Sequence, residues 1–262
     1  MSEIITITNQ KGGVGKTTTA YNLASSLSRY NKRILLVDLD PQGNCSQAIG
    51  VDPTILKRTA SDLFLSDCEL RKIIKKTNIN NIYLIPANLS LAMVESTLIN
   101  RGEEADIKLL KKRLDEKEVQ LYDFIIIDCP PSLGFLSLNA LSAGNSLIVP
   151  VQCEYFALDA LAQLLATISH VQRTSNPDLD IMGLLLTMFD SRTKLSTDIA
   201  QEVRTSFRDH VFTSVIPRNV SIPEAIAKGL PVNQYKPGSS GALAYMSLAR
   251  EVMAYVENKA KK

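Results

Sequence analysis

Asn9 to Thr19, NQKGGVGKTTT, constrains this 262-residue chain more than any other stretch. It follows a short β-branched run, EIITIT at 3–8, and leads into a helix-forming segment from Thr17 to Arg29. A glycine-rich connection between a buried strand and a helix turns successive backbone N–H groups inward, and the helix N-terminus adds positive potential. Such a loop cradles phosphate. Gly12, Gly13 and Gly15 leave room for close approach, and Val14 and Thr18 complete the lining. Lys16 supplies charge for the β- and γ-phosphates, and the Thr17 hydroxyl is placed to ligate magnesium. The usual spacing, G-x-x-x-x-G-K-[ST], is altered at its first position, which holds Gln10, and a second lysine, Lys11, precedes the glycine pair. A lysine there can reach phosphates from outside the pocket, so it could serve a nucleotide bound by a facing copy. The plainer reading, a glycine turn between solvated lysines, leaves the strand, the helix and the G-K-T-T ending unexplained.

Composition matters mainly for what it excludes. Hydrophobic residues make up 45% and charged residues 21%, which is ordinary globular usage and leaves material for a full core. A net charge of +2 does not by itself announce a nucleic-acid binder; only a clustered patch could support one. Cys45, Cys68, Cys129 and Cys153 form no C-x-x-C pair and have no adjacent histidine, so neither a disulfide framework nor a cysteine metal site is expected. No charged-then-apolar leader and no bilayer-length apolar run is legible, and a cytoplasmic protein with no membrane partner is expected.

Along the chain, short apolar runs alternate with helical patterns, the signature of a mostly parallel sheet with helices on both faces in one α/β domain spanning 1–262. RILLVDLDPQGN at 33–44 reads as a second buried strand ending in Asp38 and Asp40. Ligands of open α/β sheets gather at the carboxyl ends of strands, so both aspartates are site candidates, with turn capping as the bland alternative. Helical pieces are expected at 59–65 and 69–76, a strand at 82–85, and a helix at 104–117 with Ile107, Leu110 and Leu114 inward. Lys108, Lys111, Lys112 and Arg113 read as a solvated helix face. YDFIIIDCPPS at 122–132 is a strand ending in Asp128, the second carboxylate that phosphate-loop proteins place beside magnesium. A strand at 146–152 and a helix at 157–173, with Leu158, Leu161, Leu165 and Ile168 inward, come next. Then follow a strand at 181–190, a turn carrying Arg192 and Lys194, a helix at 196–209, and a strand ending at Pro217. Pro217 and Asn219 would lie at that strand's carboxyl edge, where a proline face can stack on a purine and an asparagine can pair with its N6/N7 edge. A helix at 242–258 carries Tyr245, Leu248, Ala249, Val252 and Val256 on one stripe, which reads as core packing.

The ordered set KGGVGKTT, LLVDLDPQGN, FIIIDCPPS, TMFDSRT and IPRNV resembles the ParA/Soj family of partition ATPases, which carry a deviant Walker A loop. The first three motifs alone would fit the wider superfamily, with its MinD-like and nitrogenase iron protein-like members. The last two, with YKPGSSGALAY, point to ParA. The resemblance implies a phosphate-loop ATPase fold of the SIMIBI, MinD-like type that uses ATP and magnesium. It implies that Lys11 reaches across an ATP-bound homodimer to the partner's phosphates, with Lys16 serving its own subunit. Thr17 would ligate magnesium with Asp38 and Asp128 near it, Asp40 would direct the attacking water, and Pro217 and Asn219 would line the adenine pocket. Hydrolysis would be slow, stimulated by a ParB-type centromere-binding partner, and the dimer would bind double-stranded DNA without sequence preference on the nucleoid. Arg192, Lys194, Lys228 and Lys236 are the candidate phosphate contacts. Ser221 and Ser240 stand where family members often carry arginine, which predicts fewer such contacts. A MinD-like membrane ATPase would need a basic, bulky amphipathic C-terminal helix. An iron–sulfur protein would need bridging cysteines, for which Cys129 and Cys153 are the nearby pair. A scaffold binding nucleotide only structurally is the fourth alternative.

Overall fold

The computed structural model describes residues 2–103, 105–154 and 157–261, with the side chains at 157–160 outside that description. The first half contains β1 (Glu3–Ile7), α1 (Lys16–Ser28), β2 (Ile34–Asp38), α2 (Asn44–Ala48), α3 (Asp62–Leu65), α4 (Leu70–Ile73), β3 (Lys75–Lys76), β4 (Ile82–Ile85), α5 (Val94–Asn100) and α6 (Leu109–Leu114). The second half contains β5 (Phe124–Asp128), α7 (Phe135–Ala143), β6 (Ser146–Gln152), α8 (Ala157–Thr174), β7 (Asp180–Thr187), α9 (Lys194–Phe207), α10 (Ser221–Ala227), α11 (Val232–Tyr235) and α12 (Ser240–Lys259).

The strands form one sheet in the order β3-β4-β2-β5-β1-β6-β7, parallel except for β3 at the edge. Each central strand is apolar on both faces because both faces are covered. Ile34 and Leu36 pack under α1 and α12, while their neighbours Leu35 and Val37 pack under the helices of the opposite face. A third cluster joins Leu147, Val149 and Val151 of β6 to Leu161, Leu164 and Ile168 of α8 and to Ile199 and Val203 of α9. The expected inward Leu158 lies outside the described side chains. The stripe on α12 is mostly core, as expected: Tyr245, Leu248, Ala249 and Val252 are buried, and Val256 is half-buried against the same cluster.

Several boundaries differ from expectation, each for a local reason. The helix expected at 69–76 stops at Ile73, and Lys75 and Lys76 pair antiparallel with Tyr83 and Leu84 as a short edge strand of a kind that discourages further pairing. The helix expected at 104–117 is confined to Leu109–Leu114, because the Asp106 carboxylate accepts the Lys108 N–H at 2.8 Å and holds a turn there. No strand forms before Pro217. That segment runs parallel to β7, but Thr213 and Ser214 donate their N–H groups at 2.8 Å to the Glu251 carboxylate of α12. Only isolated bridges remain, Leu184 with Val211 and Phe189 with Pro217.

Candidate functional site

β5 lies between β2 and β1, so the carboxyl ends of three strands and the loop after β1 converge. Asp38 and Asp128 are register partners across β2 and β5, and Ile7, the last residue of β1, is the partner of Asp128 on the other side. The loop is braced from outside. Asn9 donates to the Pro150 carbonyl at 2.7 Å and accepts the Lys11 N–H at 3.0 Å, while the Thr187 hydroxyl donates to the Val14 carbonyl at 2.9 Å. Gly15 caps α1 with φ 88°, a left-handed conformation open to glycine at little cost. Lys16 is buried, and its Nζ donates to the Lys11 carbonyl at 3.0 Å across the loop. Burial lowers its pKa, opposed by the negative charge of Asp128. A Cβ at Gly12 or Gly13 would meet nothing within 4 Å, so the loop's inner face is open.

Three aspartates sit in three different surroundings. Asp38, fully buried, accepts the Ser46 hydroxyl at 2.7 Å and the N–H groups of Ser46 and Asp40 at 2.9 and 3.1 Å. Asp128, also fully buried, has no hydrogen-bond partner on either oxygen among the described residues; Thr17 stands close enough to temper its pKa without completing a hydrogen bond. Burial pushes both carboxyls up, Asp38 to about 7 and Asp128 well above its ordinary value; Asp40 raises Asp38 further, and Asp38 and Asp40 raise Asp128 further. Asp40 lies at the cleft wall, its Oδ1 accepting the Gln42 N–H at 3.0 Å. Orphaned buried oxygens are rare and call for a ligand. A hydrated divalent cation beside Thr17 would satisfy those of Asp128, and the donor set fits magnesium, which keeps several waters and takes few protein ligands. No three His, Cys, Asp or Glu side chains form a metal cage among the described residues.

The cleft above this floor has a volume of about 700 Å³ and is lined by Gly12, Gly13, Gly15, Lys16, Thr17 and Asp40, among others. It adjoins an apolar pocket of about 270 Å³ with which it shares Gly15, Thr18, Met188 and Ile226. Pro217 and Asn219 line this second pocket. Asn219 is locked, its Nδ2 donating to the Ser240 hydroxyl at 2.7 Å and its Oδ1 accepting the Ser221 N–H at 2.8 Å. The two serines that replace expected arginines therefore support the pocket. Met188, which the sequence reading passed over, lines both cavities with φ 51°, an uncommon conformation for a non-glycine residue. Its only sequence signal is its place in TMFDSRT.

Lys11 is not brought into this cleft. It forms an ion pair with Glu154 at 2.9 Å on the outer side of the loop. Arg192 is exposed, but both its Nε and Nη2 donate to Asp190, at 2.8 and 2.7 Å, holding that carboxyl down at about 2. Lys194 opens α9, and Lys228 and Lys236 cap the exposed ends of α10 and α11. Arg218, also missed, is exposed and near enough to Asp190 to help depress its pKa. Cys129 and Cys153 are buried in two separate cores, which does not suit a cluster shared at a surface.

A family model described as an AAA domain matches residues 2–181. The chain is 48% identical over 254 residues to the sporulation initiation inhibitor protein Soj of Bacillus subtilis, covering 97% of this chain and 99% of that one. Among solved structures it is similar to a cobyrinic acid a,c-diamide synthase from Mycobacterium smegmatis with bound ADP and magnesium, at TM-score 0.84 and 37% identity, covering 98% and 96% of the two chains. It is also similar to the septum site-determining protein MinD of Pyrococcus horikoshii complexed with Mg-ADP, at TM-score 0.78 and 31% identity, covering 96% of each.

Proposed function

Because the chain belongs to the ParA/Soj family of partition ATPases, we propose that it is a switch in which ATP joins two copies and hydrolysis parts them. The chain is an ATPase whose substrates are ATP and water. In the proposed site the backbone N–H groups of 12–17 and the Lys16 ammonium bind the phosphates. Thr17 would hold magnesium directly and Asp128 through water, with Asp38 behind; the ion would neutralise charge on the phosphate oxygens. Asp40 orients the attacking water with the oxygen not engaged by Gln42. Pro217 and Asn219 flank the adenine. A single positioned carboxylate of this kind gives slow turnover, which a ParB-type partner raises.

One observation carries the dimer reading: Lys11 stands outside its own cleft, paired with the exposed Glu154, although it opens the phosphate loop. A surface pair of this kind is weak and readily exchanged, which leaves the ammonium free for a facing copy's phosphates. The ATP dimer would bind double-stranded DNA non-specifically through Arg192, Lys194, Lys228 and Lys236, placing the protein on the nucleoid to move a chromosome or plasmid. No described helix is long and apolar enough to cross a membrane, and the apolar stripe of α12 is spent on α1, so nothing here favours a MinD-like membrane cargo. Light scattering with ADP, with ATP, and with ATP plus DNA tests the switch. Dimers should appear with ATP alone and vanish in Lys11→Ala, which should still bind ATP. A magnesium-ATP form that stays monomeric would sink the reading.

A further inference from the structure

We propose that Ser46 is a positioning residue for ATP hydrolysis, clamping the Asp38 carboxylate so that the backbone carrying Asp40 is fixed. This rests on the reading of Asp40 as the water-directing group.

Ser46 is fully buried, and its hydroxyl is used in both directions. It donates to Asp38 Oδ2 at 2.7 Å and accepts the Ala87 N–H at 3.2 Å, while the Ser46 N–H reaches the same Asp38 oxygen at 2.9 Å. The other Asp38 oxygen takes the Asp40 N–H at 3.1 Å. Asp38 is thus held at three points. From there the segment is pinned residue by residue: Gln42 donates to the Asp40 carboxylate at 3.0 Å, and Gly43 donates to the Asp40 carbonyl at 2.9 Å. Asp40, Gln42, Asn44 and Gln47 all line the cleft, so the clamp sits behind one whole wall of it.

Plain satisfaction of a buried carboxylate would need donors, but not donors that join three separate elements. Ser46 ties α2 to the end of β2 and, through Ala87, to the segment after β4. Holding Asp38 on the Ser46 side also leaves Asp128, its register partner, as the carboxylate with open oxygens. Hydrolysis is sensitive to small displacements of a water-directing group, whereas in the proposed site the phosphates are held by a separate segment, the loop at 12–17.

The test is steady-state ATP hydrolysis by the full chain as Ser46→Ala, Ser46→Cys, Ser46→Thr and Asp40→Ala, with nucleotide affinity and melting temperature measured alongside. In Ser46→Ala, kcat should fall about tenfold to a hundredfold, the range a misplacement of about an ångström produces. KM and nucleotide affinity should stay within about twofold, the pattern of an interaction that matters only in the transition state. Ser46→Thr, which keeps the hydroxyl, should restore kcat. If Ser46→Ala does not fold, Ser46→Cys keeps the shape, weakens the donor and should show the same split. An unchanged kcat, a rise in KM alone, or a loss that threonine does not restore overturns the clamp. If Asp40→Ala turns over normally, the Asp40 reading falls and the inference with it; if Asp40→Ala is inactive while Ser46→Ala is normal, only the clamp falls.

Discussion

Asp38, Asp40 and Asp128 lie within ten residues or one strand pairing of each other, yet only Asp40 combines a place on the cleft wall with an oxygen not engaged by a protein donor among the described residues. Substituting it should therefore separate binding from chemistry. Asp40→Ala is expected to bind ATP with little change, to lose at least about a hundredfold in turnover, as loss of a general-base role implies, and to accumulate as dimer in scattering. Normal hydrolysis by that variant would move the water-directing role elsewhere. Arg192 presents the opposite problem, a charge already occupied. Its bidentate pairing with Asp190 must loosen before it can meet a phosphate, so Asp190→Asn should strengthen DNA binding and Arg192→Glu should weaken it. Titrating DNA binding against salt checks both; equal salt dependence in all three proteins would remove Arg192 from the interface.

The turn from β2 into α2 depends on glycine. Gly43 has φ 64°, and a Cβ there would lie 2.7 Å from the Ala87 carbonyl oxygen. Gly43→Ala should cost about 1–3 kcal/mol in chemical denaturation, because the backbone is strained and the neighbour is main chain that cannot rotate away. Turnover should fall with it, since Asp40 hangs on this turn; a variant as stable as its parent would mean that the turn relaxes freely. The sequence announces the turn through Pro-Gln-Gly but not the helix after it, because five residues carry no periodic stripe. α7 was also illegible. Ser137, Asn139 and Ser142 are buried there among the apolar residues, with Asn139 accepting the Leu110 N–H and Ser142 donating to Ser175, so neither an amphipathic pattern nor a cap marks it. What was legible, the phosphate loop and the strands ending at Asp38 and Asp128, is local: each motif sits on one strand and its following turn. Of the missed features, the Ser46 contact with Ala87 and the pairing of Lys11 with Glu154 join segments far apart in sequence, while the left-handed backbone at Met188 falls on a residue type that does not announce it.

At the scale of the whole molecule, the sheet brings two strand-end carboxylates, Asp38 and Asp128, into register, and burying them side by side costs stability wherever no cation offsets their charge. Both carboxyls have folded-state pKa values above the ordinary aspartate range, Asp38 at about 7, with burial as the main cause; Asp40 raises both further, and Asp38 also raises Asp128. A raised folded pKa contributes stability that is fully present below the unfolded value, near 3.9 for aspartate, and is lost as pH rises through the folded one. In chelator and without nucleotide, the melting temperature should therefore fall between about pH 4 and pH 7. Asp190 acts in a separate window: its pKa, lowered to about 2 by Arg192, removes stability only as pH falls below the aspartate range. Asp128→Asn keeps the shape, removes one of the two buried charges and should flatten the decline. Magnesium and nucleotide should do the same, so the stabilisation they confer should be larger at pH 7.5 than at pH 5. Thermal scans of the parent and Asp128→Asn, with and without magnesium-ADP, measure this directly, and an identical pH slope in the two proteins would show that the paired carboxylates are not what the cation relieves.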